Sequence, residues 1–302
     1  MRSTGEIVVG RVVALSVALL ASLPAIAQQR PVAATRPVAA APQSPRDYPS
    51  VVLDLSSHNT IPIDNTLKSR HGIGLVIHRA TLGRDMGGPN DVDVVFPDRM
   101  LSVARAGLRL GAYHWATPTD TGDRQADDFL RVVKAMCDLL APSQRRVVLA
   151  IDWEPHGSDP DHYMRAAEVD RFLRRTMART GRNVLVYAYE NFIHEQRDEI
   201  TNTPGLWGLL GRNPLWIANY KVSTDAMGNP MRGGMILPRV AGSPWADWSL
   251  WQYTSGDNGP IADFPPGKIA GELVDRSVFR GARSDFDRFV NNNSWDCIYR
   301  KP

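Results

Sequence analysis

The sequence predicts an α/β protein, a barrel of eight strands with covering helices around its first part only, and three observations carry that prediction. Short β-prone runs alternate with amphipathic stretches from Val51 to Glu190, which is the rhythm of a largely parallel sheet. After Asn191 three further β-prone runs follow, but the segments between them are rich in Gly, Pro and Asn. Acidic and aromatic residues recur at the strand ends, and in a parallel barrel such ends converge on one rim.

In chain order, Arg2 and Arg11 precede the apolar run Val12 to Leu23, and Ala25-Ile26-Ala27 supplies a small-x-small cleavage pattern. Residues 1–27 therefore read as a signal peptide, and the protein is expected to be secreted or periplasmic. The apolar run is short for a bilayer and no later stretch is long enough, so no membrane-spanning helix is expected after cleavage. Residues 28–49, rich in Pro and Ala without hydrophobic period, read as a disordered linker. Residues 50–302 read as one domain with a C-terminal tail.

Within that domain the expected strands are Val51 to Ser56, Ile73 to Thr81, Leu110 to Ala116, Val147 onward, Asn183 to Glu190, Pro214 to Tyr220, Trp248 to Thr254 and Glu272 to Val278. Helical spacing of apolar residues places helices over Asp98 to Leu108, Asp123 to Leu140 and Ala166 to Thr180, the last stopped by Gly181. Cys137 and Cys297 have two readings, a bridge pinning the tail to the body or two separate buried thiols.

The fourth strand ends in Ile151-Asp152-Trp153-Glu154-Pro155. Along an extended strand residues i and i+2 point the same way, so Asp152 and Glu154 present their carboxyls together, with Cα atoms roughly 6.6 Å apart. Glycosidic-bond chemistry needs such a pair of acids. Other strand ends add Asp54, Tyr113, His114, Tyr187, Tyr189, Tyr220, Trp251, Gln252, Tyr253 and Asp275. Sugars stack their C–H faces on aromatics and hydrogen-bond carboxylates and amides, so this composition suits a carbohydrate.

Composition narrows the class. A chain of 302 residues, 43% hydrophobic and 22% charged, holds a sizeable core. A net charge of +3 without a dense Lys/Arg stripe is no nucleic-acid signature, although it suits an anionic polymer such as a cell wall. His58, His78, His114, His156 and His162 lack zinc-type spacing, and no Gly-rich phosphate loop follows a strand, so neither a metal nor a nucleotide cofactor is expected.

Several stretches in order resemble the family 25 glycoside hydrolases, the lysozymes or N-acetylmuramidases. They are Val52-Leu53-Asp54-Leu55-Ser56, Val76-Ile77-His78-Arg79-Ala80-Thr81, Gly111-Ala112-Tyr113-His114-Trp115, Ile151-Asp152-Trp153-Glu154, Trp216-Ile217-Ala218-Asn219-Tyr220, Trp251-Gln252-Tyr253-Thr254 and Val274-Asp275-Arg276-Ser277. The resemblance covers about residues 50 to 290. It implies a flattened, TIM-like eight-stranded β/α barrel with helices missing around the last three strands. It also implies hydrolysis of the β-1,4 bond between N-acetylmuramic acid and N-acetylglucosamine in peptidoglycan. By position, Glu154 is then the general acid/base and Asp152 its partner, while Asp54 and Asp275 complete an acidic ring. Tyr113, Tyr187, Tyr220, Trp251 and Gln252 line the groove. Two departures from the family pattern stand out: Leu82, where Glu is frequent, and the unusual segments 83–95 and 223–247.

Carboxyls on one side of the substrate fit a substrate-assisted, retaining route, in which an ionised Asp152 and burial beside Trp153 or other aromatics push the pKa of Glu154 upward. The expected partner is peptidoglycan, and the expected state a monomer restrained by substrate access or an inhibitor protein. A chitinase-like hydrolase, a non-catalytic wall-binding barrel and a secreted structural or immunity protein built on the same scaffold remain the rival readings.

Overall fold

The apolar runs of the sequence become the staves of a closed barrel in the computed structural model, which describes residues 47–83, 92–155 and 159–300. The expected signal peptide and all but the last three residues of the linker lie outside those residues. In chain order the elements are β1 (Ser50–Leu55), α1 (Thr66–Ser69), β2 (Leu75–Leu82), α2 (Phe96–Arg105), β3 (Arg109–Trp115), α3 (Gly122–Asp138) and β4 (Val147–Asp152). Next come α4 (Ala166–Thr180), β5 (Leu185–Tyr189), α5 (Glu190–Glu195), α6 (Arg197–Asn202), α7 (Leu206–Leu210) and β6 (Leu215–Ala218). The chain finishes with β7 (Val222–Thr224), β8 (Pro230–Met235), β9 (Leu250–Ser255), β10 (Lys268–Ile269), β11 (Glu272–Leu273), β12 (Asp275–Phe279), α8 (Arg283–Asn293) and β13 (Ser294–Trp295).

Eight strands close the barrel in the order β1-β2-β3-β4-β5-β6-β9-β12 and back to β1. From β1 to β9 neighbours run parallel, but β12 is antiparallel to both β9 and β1. The sequence reading missed this reversal, because a period-2 pattern is the same in either direction. It also explains the absence of a covering helix there: a parallel return needs a long crossover, whereas an antiparallel one only has to turn back. Here the turn carries the small β10–β11 hairpin. Between β6 and β9 a second hairpin, β7–β8, stands in place of a helix. Short helices α5 to α7 precede β6, in a segment that shows no helical period long enough to read from sequence.

Alternation along the strands separates two apolar layers. Val148 and Ala150 of β4, Leu75 and Ile77 of β2, Leu185 and Tyr187 of β5, and Trp216 and Ala218 of β6 fill the barrel interior. Their neighbours Val147, Leu149, Ile151, Val76, Val186 and Ile217 face outward into the layer beneath the helices. In that outer layer α3 lies against α4, where the Gly122 N–H donates to Glu168 Oε2 (2.8 Å) and a Cβ on Gly122 would meet the Glu168 carbonyl. Gly181 ends α4 as expected, in the left-handed conformation that glycine adopts without a Cβ penalty. The two cysteines are paired: a Cys137–Cys297 disulfide pins the tail to α3. Among the described residues no helix is long and apolar enough to cross a membrane.

Candidate active site

The same alternation decides which side chains reach the rim. On β4 the interior positions Val148 and Ala150 continue to Asp152 and then Glu154. The ladder holds this register to its end, because the Asp152 carbonyl accepts from the Ala116 N–H and the Trp153 N–H donates to the Tyr187 carbonyl (both 2.9 Å). Trp153 therefore points outward, with its indole N–H on the Met164 carbonyl (2.7 Å) and Phe192 edge-on against its ring. Trp153 is therefore not the aromatic that buries Glu154, and the charge that adds to burial in raising Glu154 is that of Asp275 rather than the expected Asp152.

A cleft of about 190 Å³ opens at the rim, lined by Asp54, Tyr113, Asp152, Glu154, Tyr187, Gln252 and Asp275, together with Ser56, His58, Arg79, Trp115 and Trp216. A second, adjoining cleft of about 410 Å³ shares Glu154 and Tyr187 and is bounded by Tyr189, Asn219, Tyr220 and Lys221. Tyr220 thus lies in the neighbouring cleft, although its hydroxyl reaches back to Gln252 Oε1. Trp251 lines neither. It is fully buried in the outer layer among Trp248, Tyr253 and Phe264, with its indole N–H on the Asn219 carbonyl (2.7 Å). Its expected place in the groove is corrected by the period of two: Gln252 faces in, so Trp251 and Tyr253 face out.

Asp275 reaches the rim for a reason the sequence reading did not contain. It is the first residue of β12, and the reversal of that strand brings its start level with the ends of the others, directly opposite Asp54 of β1. The two carboxyls lie close enough to bear on each other's titration. Burial first, and then the Asp275 charge, push Asp54 well above the usual carboxylate range; burial raises Asp275 to about 6. Gln252 fixes this pair from the side: its amide N–H group donates to both Asp54 oxygens (3.1 and 3.2 Å), while its carbonyl accepts from Tyr187 (2.9 Å) and Tyr220.

The Asp152–Glu154 pair is arranged differently. Burial, with the Asp275 charge second, raises Glu154 to about 7, and burial followed by the Glu154 charge raises Asp152 well above its ordinary value. Asp152 Oδ1 is buried and accepts no hydrogen bond among the described residues. A buried acceptor without a donor costs about 1–3 kcal/mol, and it can be satisfied by a ligand N–H entering the cleft.

Ser56, His58, Arg79, Trp115 and Trp216 of the first cleft escaped the sequence reading. Arg79 continues the interior positions Leu75 and Ile77 on β2, so alternation could have found it; its Nε donates to Asp93 Oδ2 (3.1 Å) and its Nη2 to Ser57 Oγ (2.8 Å). Trp216 is interior on β6 by the same rule, with its indole N–H on Ser277 Oγ (3.0 Å) and Tyr187 edge-on at 4.9 Å. His58 sits on the loop after β1, where no periodicity operates.

His114, by contrast, faces outward between Phe129 and Phe172, bonded to Thr81 and Gln125, and burial lowers it to about 4. Among the described residues no His, Cys, Asp and Glu side chains gather as metal ligands; His156 and residues 84–91 of the unusual wall segment lie outside that set.

Comparison with known proteins gives this geometry a context. A sequence model of the glycosyl hydrolases family 25 matches residues 53–262. Lysozyme M1 of Streptomyces globisporus is 26% identical over 214 residues, and the protein YegX of Escherichia coli K12 is 26% identical over 209. Each alignment covers 68% of this chain but only 62% and 60% of those relatives, so the chain spans about three fifths of their length. In three dimensions it resembles a family 25 glycosyl hydrolase from Bacillus anthracis (TM-score 0.54, 20% identity, covering 84% of this chain and 97% of that one). It also resembles the spore cortex lytic enzyme SleM of Clostridium perfringens (TM-score 0.57, 22% identity, 81% and 70%). At these identities the structural likeness speaks for the fold.

Proposed function

Since the chain belongs to family 25 of the glycosyl hydrolases, we propose that it is an exported peptidoglycan hydrolase that cleaves the β-1,4 bond between N-acetylmuramic acid and N-acetylglucosamine with retention. The observation that carries this reading is the contrast within one carboxylate pair: burial raises Glu154 to about 7, beside an Asp152 oxygen that has no donor among the described residues. A general acid must hold its proton at working pH, and Glu154 meets that requirement through burial.

Both carboxyls leave the same strand on the same side, so they approach the sugar from one face. An inverting pair would instead flank the bond and leave room for a water. The nucleophile is then the substrate's own 2-acetamido oxygen. Asp152 Oδ1 accepts the acetamido N–H and stabilises the positive charge that develops as the ring closes. Glu154 protonates the leaving oxygen first and then, as a carboxylate, deprotonates the attacking water. Asp54, Asp275 and Gln252 form the opposite wall, Tyr113 and Tyr187 flank the reacting ring, and Tyr220 extends the surface into the second cleft for the next sugar.

Export rests on residues 1–27 acting as a signal peptide, with residues 28–49 as a linker ahead of the catalytic domain. Digestion of purified peptidoglycan by the parent and by Glu154→Gln, followed by borohydride reduction and mass spectrometry, tests the proposal. Fragments ending in reduced muramic acid from the parent alone are expected. Reduced glucosamine ends, anhydro-muramic ends, or equal release by both proteins would overturn it, and faster release from chitin would favour a chitinase.

A further inference from the structure

The cleavage chemistry has no use for Glu190, yet this acid is buried at the rim, at the first position of α5 directly after β5. A buried carboxylate is costly unless its oxygens are satisfied. Here they are: Oε2 accepts from Asn219 Nδ2 (2.8 Å) and from the Arg239 N–H (3.0 Å), and Oε1 accepts from Lys221 Nζ (2.9 Å). Arg239 Nε lies 3.6 Å from the same Oε1, so one carboxylate faces two cations.

The result is a fixed ammonium at the mouth of the second cleft. Lys221 follows β6, and its Nζ is held both by Glu190 and by Asn191 Oδ1 (3.3 Å) from the segment after β5. An ordinary surface lysine wanders on its four-carbon stem, whereas this one is tied at two acceptors while its side chain stays 45% exposed. Lys221 is the cation among the residues that line this cleft.

The cleft, about 410 Å³, is large enough for a sugar with a substituent. Glu154 lines both clefts, so the bond it protonates lies at their junction. The ring whose acetamido group meets Asp152 then fills the first cleft, and the glycan continues past Tyr189 and Tyr220 into the second. Chitin carries no charge for an ammonium to meet. Every muramic acid, by contrast, carries a 3-O-lactyl group that ends either in a free carboxylate or in a peptide bearing carboxylates.

We propose that the second cleft recognises a carboxylate on the muramic acid substituent, and that Lys221, held in place by Glu190, is the residue that binds it. This rests on the muramidase reading for the path of the glycan. The recognition itself is an equilibrium property and can be measured without turnover.

The experiment is calorimetric binding in the Glu154→Gln background, which leaves the ligands uncut, with and without Lys221→Met. Three oligomers of equal length serve as probes: a chito-oligomer, a peptide-free N-acetylmuramic acid–N-acetylglucosamine oligomer, and the same oligomer with its peptides. Lys221→Met is expected to weaken binding of the muramyl oligomers by about three- to tenfold, an advantage that shrinks as salt is raised, and to leave the chito-oligomer unchanged. Loss confined to the peptide-free oligomer assigns the lactyl carboxylate, and loss confined to the peptide-bearing one assigns the peptide. Lys221→Arg, which keeps the charge, should retain most of the preference. Should Lys221→Met fold poorly because Glu190 loses a partner, Lys221→Met/Glu190→Gln removes both charges and carries the same expectation. Equal loss on all three oligomers, or loss on none, would overturn the inference. If the parent releases muramic acid ends from peptidoglycan but binds all three oligomers alike, this inference alone fails; selective binding in a protein that releases none removes the proposed function alone.

Discussion

Two pairs of carboxylates face each other across the cleft, and their different construction separates support from chemistry. Asp54 and Asp275 sit opposite one another on antiparallel neighbours, and Gln252, which two tyrosines hold in turn, clamps Asp54. Their hydrogen bonds close within the protein. Asp152 and Glu154 leave a single strand, and Asp152 keeps a buried oxygen with no donor among the described residues. A satisfied pair fixes the shape and field of the wall, whereas an unsatisfied one has a bond to offer the substrate. Burial raises all four carboxyls and so does not by itself single out a catalytic acid; what sets the Asp152–Glu154 pair apart, and supports the proposed function, is the open hydrogen-bonding valence of Asp152.

Substitutions can break or sharpen this contrast. The largest effect is expected from Glu154→Gln, which removes the proton donor: kcat on peptidoglycan should fall by about 10³-fold, within the range for a general acid. Asp152→Asn should follow at roughly 10²-fold, the cost of losing charge stabilisation where charge develops. Asp275→Asn keeps a hydrogen-bonding group beside Asp54 and should cost about tenfold or less, the worth of one hydrogen bond. Turnover assays of the three variants on one peptidoglycan preparation check the order, and an Asp275 variant as damaged as Glu154→Gln would break the comparison.

A smaller effect sharpens it through stability. The folded value of about 7 for Glu154 lies above its ordinary 4.5. Between those values the unfolded chain gives up the proton first, so the folded state loses stability as pH rises through that window. Glu154→Gln removes this penalty and should be more stable than the parent by on the order of 1–3 kcal/mol near pH 8, with little difference near pH 4. Thermal unfolding at both pH values reads the sign directly, and a variant less stable at the higher pH would contradict the assigned burial cost.

Much of this arrangement is legible in the sequence because a strand repeats every two residues. Once Asp152 is placed at the end of an apolar run, Glu154 follows it inward, and the run boundaries locate Asp54, Tyr113 and Tyr187 at the same rim. The same rule, applied strictly, assigns Gln252 inward and Trp251 outward, and it would also have brought in Arg79 and Trp216. Direction is a different matter. Nothing in Val274-Asp275-Arg276-Ser277 distinguishes a strand that ends at the rim from one that begins there, so Asp275 was expected at the right place for the wrong reason. The clamp of Gln252 on Asp54, the unpartnered Asp152 oxygen among the described residues and the anchoring of Arg79 are products of packing between distant segments. Local pattern does not encode them.

The account turns on Asp152 and Glu154 acting from one face while Asp54 and Asp275 hold the other wall. Proton NMR of the first-formed anomer, recorded during hydrolysis of a soluble N-acetylmuramic acid–N-acetylglucosamine oligomer before mutarotation, tests that division most directly. The account predicts the β-anomer, the configuration of the bond that was cut. The α-anomer as first product would contradict it, because a water activated from the opposite wall would then make Asp54 or Asp275 the base.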